Sequence, residues 1–337
     1  MKPTLIFFGS FLEHSAHILQ TLHQSNQVNV IGVVTTPPKP AGRKQELTKT
    51  AVHLYAESVN LPIFTPETLD SNSLAQISSS NLKPHLLLSA GYGKLLPSSW
   101  LDYPTIAALN IHFSLLPKYR GAMPAEWAIL CGEQETGVTV MEMNSQLDGG
   151  NIISQATLPI NPEDTRETLY SQLYPLGAEL FLSTLPHYLN WKQKGHLDQL
   201  GQLEIRNSSL FLPPQTQTKS STPYAKLITK NDSFLPWLLL QKAMSGLTIQ
   251  SSELPPFLQQ IIPVIHNPRS TIYDLLDQSI KAFKGFPGVW TIVTTPKGDK
   301  RLKILSAHLN HQQLILNQIQ LEGLGPTPYN QIKNQIL

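Results

Sequence analysis

Two polar side chains interrupt an apolar run in the segment LNIHF, where Asn110 and His112 stand on either side of Ile111. In an extended strand, successive side chains point to opposite faces, so Asn110 and His112 point one way while Ile111 and Phe113 point the other. An asparagine amide can donate hydrogen bonds to a developing oxyanion, and an imidazole can donate to the same oxyanion or move a proton. The pair therefore suits chemistry at a carbonyl group.

A carboxylate that can serve this pair follows the next apolar run, in the segment NSQLDGGN. Two glycines come after Asp148, and a glycine-rich backbone can bring a carboxylate close to another side chain. Beside His112, this carboxylate would orient the imidazole ring and stabilise its protonated form. Each motif also has an ordinary interpretation, since polar side chains at a strand end bond to loop backbone and Asp-Gly is a common turn. The presence of both motifs favours a catalytic set of Asn110, His112 and Asp148.

The elements around these residues alternate between strand and helix patterns. Apolar, β-rich runs at 3–9, 28–36 and 85–91 are separated by stretches with helical spacing, such as AHILQTLHQ and TAVHLYAES, and the runs IAALNIHFS and GVTVMEMN follow. This alternation predicts parallel βαβ units, with the first strand central in the sheet and Gly9 at its end. We therefore predict an α/β fold with a Rossmann-like, mostly parallel sheet and helices on both faces. Because the G-x-G-x-x-G and P-loop patterns are missing, a dinucleotide cofactor is not supported.

Composition and cysteine content limit the class of protein. The chain has 337 residues, of which 14% are charged and 41% hydrophobic, and its net charge is +2. No apolar stretch approaches the length that spans a bilayer, and the first residues lack the cleavage site of a signal peptide, so we expect no membrane partner. Cys131 is the only cysteine, which excludes an internal disulfide and argues against a cysteine-based metal site. These features favour a cytoplasmic protein.

The second half of the chain changes character twice. A helical pattern begins in NPEDTRETL, with Asp164 and Glu167 at capping-box spacing, and we expect Pro175 to kink or split this helix. From 221 onward the runs GVWTIVTT, RLKILSAHL and QLILNQIQL predict a smaller C-terminal β-barrel (OB-like), with a proline-rich insertion near 252–270. We therefore predict a catalytic domain at 1–190, a polar linker at 191–220 and a C-terminal domain at 221–337.

Taken together, LNIHFSLLPKYRGAMPAEWAIL and ETGVTVMEMNSQLDGGNII resemble the folate-dependent formyltransferases. In that family, an Asn-x-His, an S-L-L-P loop and a downstream aspartate in an L-D-x-G loop form the active site. Four further segments are most similar to the branch of the family that formylates methionyl initiator tRNA. They are the R-G-x-x-P segment RGAMP, the basic P-A-G-R loop after the second strand, and the stretches PYAKLITKND and KAFKGFPGVW near the C-terminus.

The resemblance implies transfer of the formyl group of 10-formyltetrahydrofolate to an amine. Asn110 and His112 would stabilise the tetrahedral oxyanion, while Asp148 would hold His112 and help carry the amine proton away through water. No metal ion and no covalent enzyme intermediate are implied. The folate co-substrate would lie against apolar walls and glycine-rich backbone in two loops. Their residues are Ser114, Leu115, Leu116 and Pro117 in one loop, and Ser89, Gly91, Tyr92, Gly93 and Leu95 in the other.

Basic residues gather in the loop after the second strand, at Lys39, Arg43 and Lys44. This is the edge of the sheet at which α/β proteins usually bind ligands. By the resemblance, the loop would contact the phosphate backbone of methionyl initiator tRNA, with the C-terminal domain as a second tRNA-binding part and KGDKRLK as a further candidate. On charge alone, an ordinary solvated loop is the favoured interpretation of this segment. We expect RNA rather than DNA as the partner, and a role in translation initiation.

One catalytic loop departs from the tRNA-directed branch. That branch reads L-D-T-G-D, whereas this chain reads LDGGN from Leu147 to Asn151, a form closer to the glycinamide ribonucleotide formyltransferases. The amine acceptor therefore stays open. One alternative is a formyltransferase for a small acceptor, such as an amino sugar nucleotide or glycinamide ribonucleotide, against which the extra domain and the P-A-G-R loop argue. Another is a catalytically silent RNA-binding relative, against which the complete catalytic set argues.

Overall fold

The structure, a computed structural model, describes residues 2–41, 45–194, 203–205, 209–211, 213–220, 222–265 and 270–336. By its internal contacts, the described chain divides into two compact units. The first consists of Met1–Arg120, Gly137–Leu158 and Ser171–Ser221, and the second of Gly121–Thr136, Pro159–Tyr170 and Thr222–Leu337. The domain boundaries near 190 and 220 that sequence character suggests stay a prediction.

In the first half of the chain, most strands are followed by a helix, as expected. The strands are β1 (Thr4–Phe8), β2 (Asn29–Val34), β3 (Lys39–Ala41), β4 (Glu46–Thr48), β5 (Ile63–Phe64), β6 (Leu86–Ser89), β7 (Ala107–His112), β8 (Glu135–Glu142), β9 (Ile152–Pro159), β10 (Leu203–Ile205), β11 (Ser209–Phe211), β12 (Val289–Thr295), β13 (Gly298–Asn310), β14 (Gln313–Leu321) and β15 (Thr327–Pro328). The α-helices are α1 (Leu12–Gln24), α2 (Ala51–Ser58), α3 (Ser71–Ser79), α4 (Ser98–Leu101), α5 (Pro124–Leu130), α6 (Arg166–Gln193), α7 (Trp237–Met244), α8 (Pro256–Ile261), α9 (Ile272–Ala282) and α10 (Tyr329–Ile332). Within the described chain, no helix is both long and apolar enough to cross a membrane.

A mostly parallel sheet forms the centre of the first unit. Among the described residues it has seven strands, in the order β5-β2-β1-β6-β7-β8-β9. The strands β5, β2, β1, β6 and β7 are mutually parallel, and β8 pairs antiparallel with β7. The prediction of a Rossmann-like sheet with β1 inside it is confirmed, as is the end of β1 before Gly9. The carboxyl ends of β6 and β7 consequently lie side by side, and the loops that follow them share one edge of the sheet.

Apolar side chains of alternating strand positions pack on both faces of this sheet. On one face, Phe8 makes edge-to-face contacts with Tyr92 and Trp100, with ring centroids 5.4 Å and 5.7 Å apart. On the other face, Phe113 stacks on Tyr174 of α6, with centroids 3.8 Å apart. Each such pair of buried aromatic side chains stabilises the fold by about 0.5–1.5 kcal/mol more than the burial of its apolar area alone. They fix the sheet rigidly beneath the loops at its carboxyl edge.

The long helix α6 corrects two expectations. It is not split at Pro175, because a proline removes only one hydrogen bond while buried neighbours such as Tyr174 and Phe181 hold the helix in place. Its N-cap is Thr165 rather than Asp164, since the Thr165 amide donates to the Thr168 hydroxyl at 2.9 Å and the Thr168 amide donates back to the Thr165 hydroxyl at 3.4 Å. The capping box therefore lies one residue later than its spacing in the sequence suggested.

The second unit contains an antiparallel sheet. Of the residues that the structure describes, four strands form it, in the order β12-β13-β14-β15. This confirms the predicted small β-rich C-terminal domain and the hairpin at KGDKRLK, where Thr295 pairs with Gly298. The proline-rich insertion near 252–270 contributes α8, whose Phe257 packs against Trp127 and Phe283 with centroids 5.9 Å and 6.1 Å away. Residues 266–269 of that insertion lie outside the described residues.

Candidate active site

Strand β7 presents the polar pair to one side of the sheet. Asn110 lies opposite Ser89 of β6 and Met141 of β8, and His112 lies opposite Thr139. Ile111 is buried on the other face, where a methyl group added to Gly177 of α6 would lie 2.7 Å from its Cγ2 atom. The burial of this other face determines the strand register, and the register fixes where Asn110 and His112 point.

The structure brings His112 and Asp148 together. The His112 Nδ1 atom lies 3.7 Å from the Asp148 Oδ1 atom, and the two side chains are only 6% and 12% exposed. The His112 Nε2 atom is 3.0 Å from the carbonyl oxygen of Tyr119. Because a carbonyl can only accept, Nε2 is the donor in this contact, and Nδ1 is the ring nitrogen that faces Asp148. Within the described residues, the side-chain amide of Asn110 makes no hydrogen bond.

The loop that carries Asp148 has an unusual backbone. Asp148 itself adopts a left-handed conformation with φ of 49°, which costs an L-residue about 1–2 kcal/mol. Gly150 is buried, and a methyl group added there would lie 1.7 Å from the Glu142 carbonyl oxygen, well inside contact distance. The side chain of Gln217 donates to the carbonyl oxygens of Asp148 and Gly150, at 2.8 Å and 2.7 Å. The loop is therefore held by contacts at Asp148 and Gly150, on both sides of Gly149.

Glu142 explains the departure from L-D-T-G-D at Asn151. Its carboxylate accepts hydrogen bonds from the Asn151 amide at 3.1 Å, the Tyr188 hydroxyl at 2.8 Å and the Lys192 amine at 2.9 Å. Burial by itself would raise the pKa of Glu142, but the hydrogen bonds from Lys192, Tyr188 and Asn151 outweigh it and hold the pKa below its ordinary value. Glu142 is thus an anion at neutral pH, and it needs a donor at position 151, where an aspartate would repel it.

We expect Asn151→Asp to destabilise the chain by about 1–3 kcal/mol at pH 7, because a donor to a buried anion is replaced by a second anion. The double variant Asn151→Asp with Glu142→Gln restores one carboxylate and one amide and is expected to recover most of the lost stability.

The effect also depends on pH. In the wild type, the depressed pKa of Glu142 gives stability at neutral pH that is lost as the pH falls through that pKa. In Asn151→Asp, protonation instead relieves repulsion, so the two unfolding free energies should converge in acid. Denaturant unfolding at several pH values measures this; equal stability of Asn151→Asp and wild type at pH 7 would refute it.

The S-L-L-P segment follows β7 and is held by the neighbouring strands. The Ser114 hydroxyl donates to the Lys118 carbonyl at 2.6 Å, and the Leu116 amide donates to the Thr139 hydroxyl at 3.1 Å. Leu116 is buried, whereas Leu115 and Pro117 are half-buried. Of the four residues predicted to contact folate here, the structure leaves Leu115 and Pro117 with side-chain surface that a ligand can reach.

The SAGYG segment follows β6 at the same edge of the sheet. Gly91 has a φ of 67°, and a methyl group there would lie 2.3 Å from the Tyr174 hydroxyl, so only glycine fits. Ser89 and Tyr92 are buried, and burial raises the pKa of Tyr92 to about 12. Gly93 has open space around it, and Leu95 is 63% exposed. Backbone at Gly91 and Gly93 and the Leu95 side chain are the accessible part of this predicted folate loop.

One basic residue of the predicted tRNA loop, Lys39, lies on a hairpin formed by β3 and β4. Lys39 on β3 is exposed and pairs with Thr48 across the hairpin. Arg43 and Lys44 lie outside the described residues. Lys49, just after the hairpin, forms an ion pair with Glu57, with 2.8 Å between the Nζ and Oε1 atoms. Of the three basic residues predicted to contact tRNA, the structure describes Lys39 alone. Its side chain is exposed, so an anionic partner can reach it.

The fold and the site geometry together define the class of protein. A profile of the formyl transferase family matches residues 1–185, more than half of the chain, and the chain therefore belongs to the formyl transferase family. Its relatives include the methionyl-tRNA formyltransferase of Listeria monocytogenes serotype 4a (strain HCC23), which is 42% identical over 190 residues that cover 56% of this chain and 60% of that protein. The same enzyme of Lysinibacillus sphaericus (strain C3-41) is 43% identical over 188 residues, covering 56% of this chain and 59% of that one. The chain thus matches about 60% of the length of these curated relatives.

Solved structures share the fold over most of the chain. A 4-N formyltransferase from Francisella tularensis matches with a TM-score of 0.54 and 16% identity, covering 92% of this chain and 98% of that one. An N-formyltransferase from Helicobacter canadensis, solved with folinic acid and dTDP-3-aminofucose, matches with a TM-score of 0.53 and 19% identity over 92% of this chain and 88% of that one. At these identities the comparison establishes the fold and leaves the acceptor open.

Proposed function

We propose that this chain transfers the formyl group of 10-formyltetrahydrofolate to the α-amine of methionyl initiator tRNA. The observation that carries the proposal is the meeting of His112 and Asp148, 3.7 Å apart and shielded from solvent, with Asn110 two positions before His112 on the same strand. The methionyl-tRNA formyltransferases among the relatives support the choice of acceptor. The product would be a formylated initiator tRNA for translation initiation in the cytoplasm.

The chemistry follows from the donors and acceptors at the site. The amine attacks the formyl carbon, a C–N bond forms, and the carbonyl oxygen becomes an oxyanion to which the Asn110 amide can donate. Because Nε2 of His112 is held by the Tyr119 carbonyl, the ring meets Asp148 through Nδ1 and orients its carboxylate. Asp148 accepts the proton that the amine loses, through water, and the bond from the formyl carbon to the folate nitrogen then breaks with proton return. These residues account for the transfer without a metal ion.

The accessible parts of the two loops at the sheet edge suit the folate. Leu115, Pro117 and Leu95 offer apolar surface, and Gly91 and Gly93 offer backbone that a flat ring can approach closely. The buried residues of the two loops would shape this pocket from beneath. They are Ser89, Tyr92, Ser114 and Leu116. The acceptor side would use the basic residues Lys39, Arg43 and Lys44, because phosphate groups next to the site need positive charge.

The test of the proposal is an acceptor comparison with the purified full chain. Formyl transfer from 10-formyltetrahydrofolate is measured to charged initiator methionyl-tRNA, glycinamide ribonucleotide and an amino sugar nucleotide. The proposal predicts transfer to the charged tRNA with kcat/KM at least about 10²-fold above that for either small amine, since remote binding energy supports the reaction. Transfer to a small amine alone would establish the alternative acceptor class, and transfer to none would mean a silent relative.

We expect Arg43→Ala to raise KM for charged tRNA and to reduce the slope of log affinity against log salt by about 0.7–0.9, because one phosphate contact is lost. Folate affinity should not change. Lys49→Ala is the matched control, because Lys49 flanks the same hairpin and is already neutralised by Glu57. Kinetics and binding at two salt concentrations measure the effect, and an Arg43→Ala variant with the salt slope of wild type would remove this loop from the tRNA site.

A further inference from the structure

The polar segment at 213–218 lies against the catalytic loop, although it is remote in sequence. The amide of Ile152, just after that loop, donates to the Gln215 carbonyl at 2.9 Å, and the Gln215 amide donates back to the Ile152 carbonyl at 2.8 Å. This pair of backbone bonds is an antiparallel bridge. The segment lies beyond residues 1–185, which the family profile matches. It therefore adds to the active site from a part of the chain that the family match does not cover.

Gln217 makes a complete set of hydrogen bonds in this segment. Its Nε2 atom donates to the Asp148 carbonyl at 2.8 Å and to the Gly150 carbonyl at 2.7 Å. Its Oε1 atom accepts from the Arg120 Nε atom at 2.8 Å. Because arginine can only donate and carbonyls can only accept, the orientation of the Gln217 amide is fixed by its partners. Both amide hydrogens point at the loop, one on each side of Gly149.

These bonds connect the two halves of the catalytic set. Asp148 has a left-handed backbone with φ of 49°, a conformation that persists only where its surroundings hold it. Arg120 directly follows Tyr119, whose carbonyl oxygen fixes the His112 ring at 3.0 Å. Gln217 thus bridges the backbone that holds Asp148 and the loop that holds His112. A side chain that only filled space would not need donors on one edge and an acceptor on the other.

We infer that Gln217 is a positioning residue that holds the Asp148 carboxylate against His112. The inference rests on the proposed function, since it assigns Gln217 a role in the same proton transfer. Gln217 itself touches no reacting atom. Its effect comes from the backbone on either side of Gly149, directly after Asp148, and small displacements of a catalytic group lower rates by up to about 10²-fold.

Three variants of the full chain test this role. Gln217→Ala removes all three hydrogen bonds. Gln217→Glu keeps the length and the acceptor for Arg120 but replaces the two donors with oxygen, which repels the two carbonyls. Gln215→Ala is the matched control, because its exposed side chain lies two residues away while its backbone bridge to Ile152 remains. We expect at least about a ten-fold fall in kcat for Gln217→Ala and Gln217→Glu, with KM for folate and melting temperature near wild type, and no change for Gln215→Ala.

A double-mutant cycle separates positioning from general stability. If Gln217 acts through Asp148, then Gln217→Ala combined with Asp148→Asn should have the kcat of Asp148→Asn alone. Amide hydrogen exchange of residues 146–151 gives a readout that needs no substrate, and it should rise in Gln217→Ala and Gln217→Glu but not in Gln215→Ala. Wild-type kcat in Gln217→Glu, unchanged exchange in the loop, or fully additive effects would each overturn the inference. Absence of formyl transfer by the wild type would instead count against the proposed function, with the exchange experiment still decisive for Gln217.

Discussion

Asp148→Asn is expected to lower kcat for formyl transfer by at least about 10²-fold, the effect typical of losing a general acid-base group. The amide keeps the size and shape of the carboxylate, so the loop conformation and the Gln217 bonds to the Asp148 and Gly150 carbonyls should persist. What disappears is the carboxyl group whose Oδ1 atom lies 3.7 Å from the Nδ1 atom of His112, which is the group that we propose accepts the amine proton. Folate affinity should stay within about two-fold of wild type.

Single-turnover kinetics separate this chemical step from product release. A correctly folded Asp148→Asn variant that formylates charged tRNA at a near-normal single-turnover rate would remove Asp148 from the mechanism. A loss of folate binding in the same variant would instead show that the loop had changed shape. Melting temperature and folate titration therefore accompany the rate measurement.

Much of the fold follows from local sequence patterns. The apolar runs at β1, β2 and β6 are continuous because both faces of a parallel sheet are covered, and such runs are readable without any knowledge of the tertiary structure. The strand β7 is also readable, and its period of two puts Asn110 and His112 on one side of the sheet. The meeting of His112 with Asp148 was expected from the type and spacing of the motifs, and the distance of 3.7 Å brings the two side chains together.

The supports of the site could not be predicted in the same way. Gln217 lies 69 residues from Asp148, in a polar stretch without period, so no local signal distinguishes it from an ordinary linker glutamine. Glu142 ends a strand as many carboxylates do, and only the loop geometry shows that its partner is Asn151. The observed N-cap of α6 lies one residue after the predicted one, because Thr165 and Thr168 make the reciprocal hydrogen bonds that were expected of Asp164 and Glu167. In each case a contact between remote or competing groups decided the outcome.

The two glycines of LDGGN differ in what surrounds them, and this difference predicts a large effect at only one position. Gly150 is buried against backbone, with the Glu142 carbonyl oxygen 1.7 Å and its carbon 2.8 Å from where a methyl group would lie. Strand backbone cannot yield by that amount. Gly149 faces the side chain of Gln146, whose atoms lie 2.9 Å from the added methyl group on an exposed loop. The Oε1 atom of Gln146 can rotate away, and the contact with its Cβ atom needs only a small shift of this exposed loop.

We therefore expect Gly150→Ala to lower kcat by about 10²-fold, because the loop must lift away from Glu142 and displace the carboxylate of Asp148. Gly149→Ala is the matched control, and its kcat should stay at least about ten-fold above that of Gly150→Ala. The displacement also strains the bonds from Gln217 to the carbonyls on both sides of Gly149, so Gln217→Ala should add little further loss to Gly150→Ala. Rates, melting temperatures and amide exchange of the loop measure these effects. Equal rates for Gly149→Ala and Gly150→Ala would contradict the account, because then the fit of the loop against Glu142 would not determine where Asp148 stands.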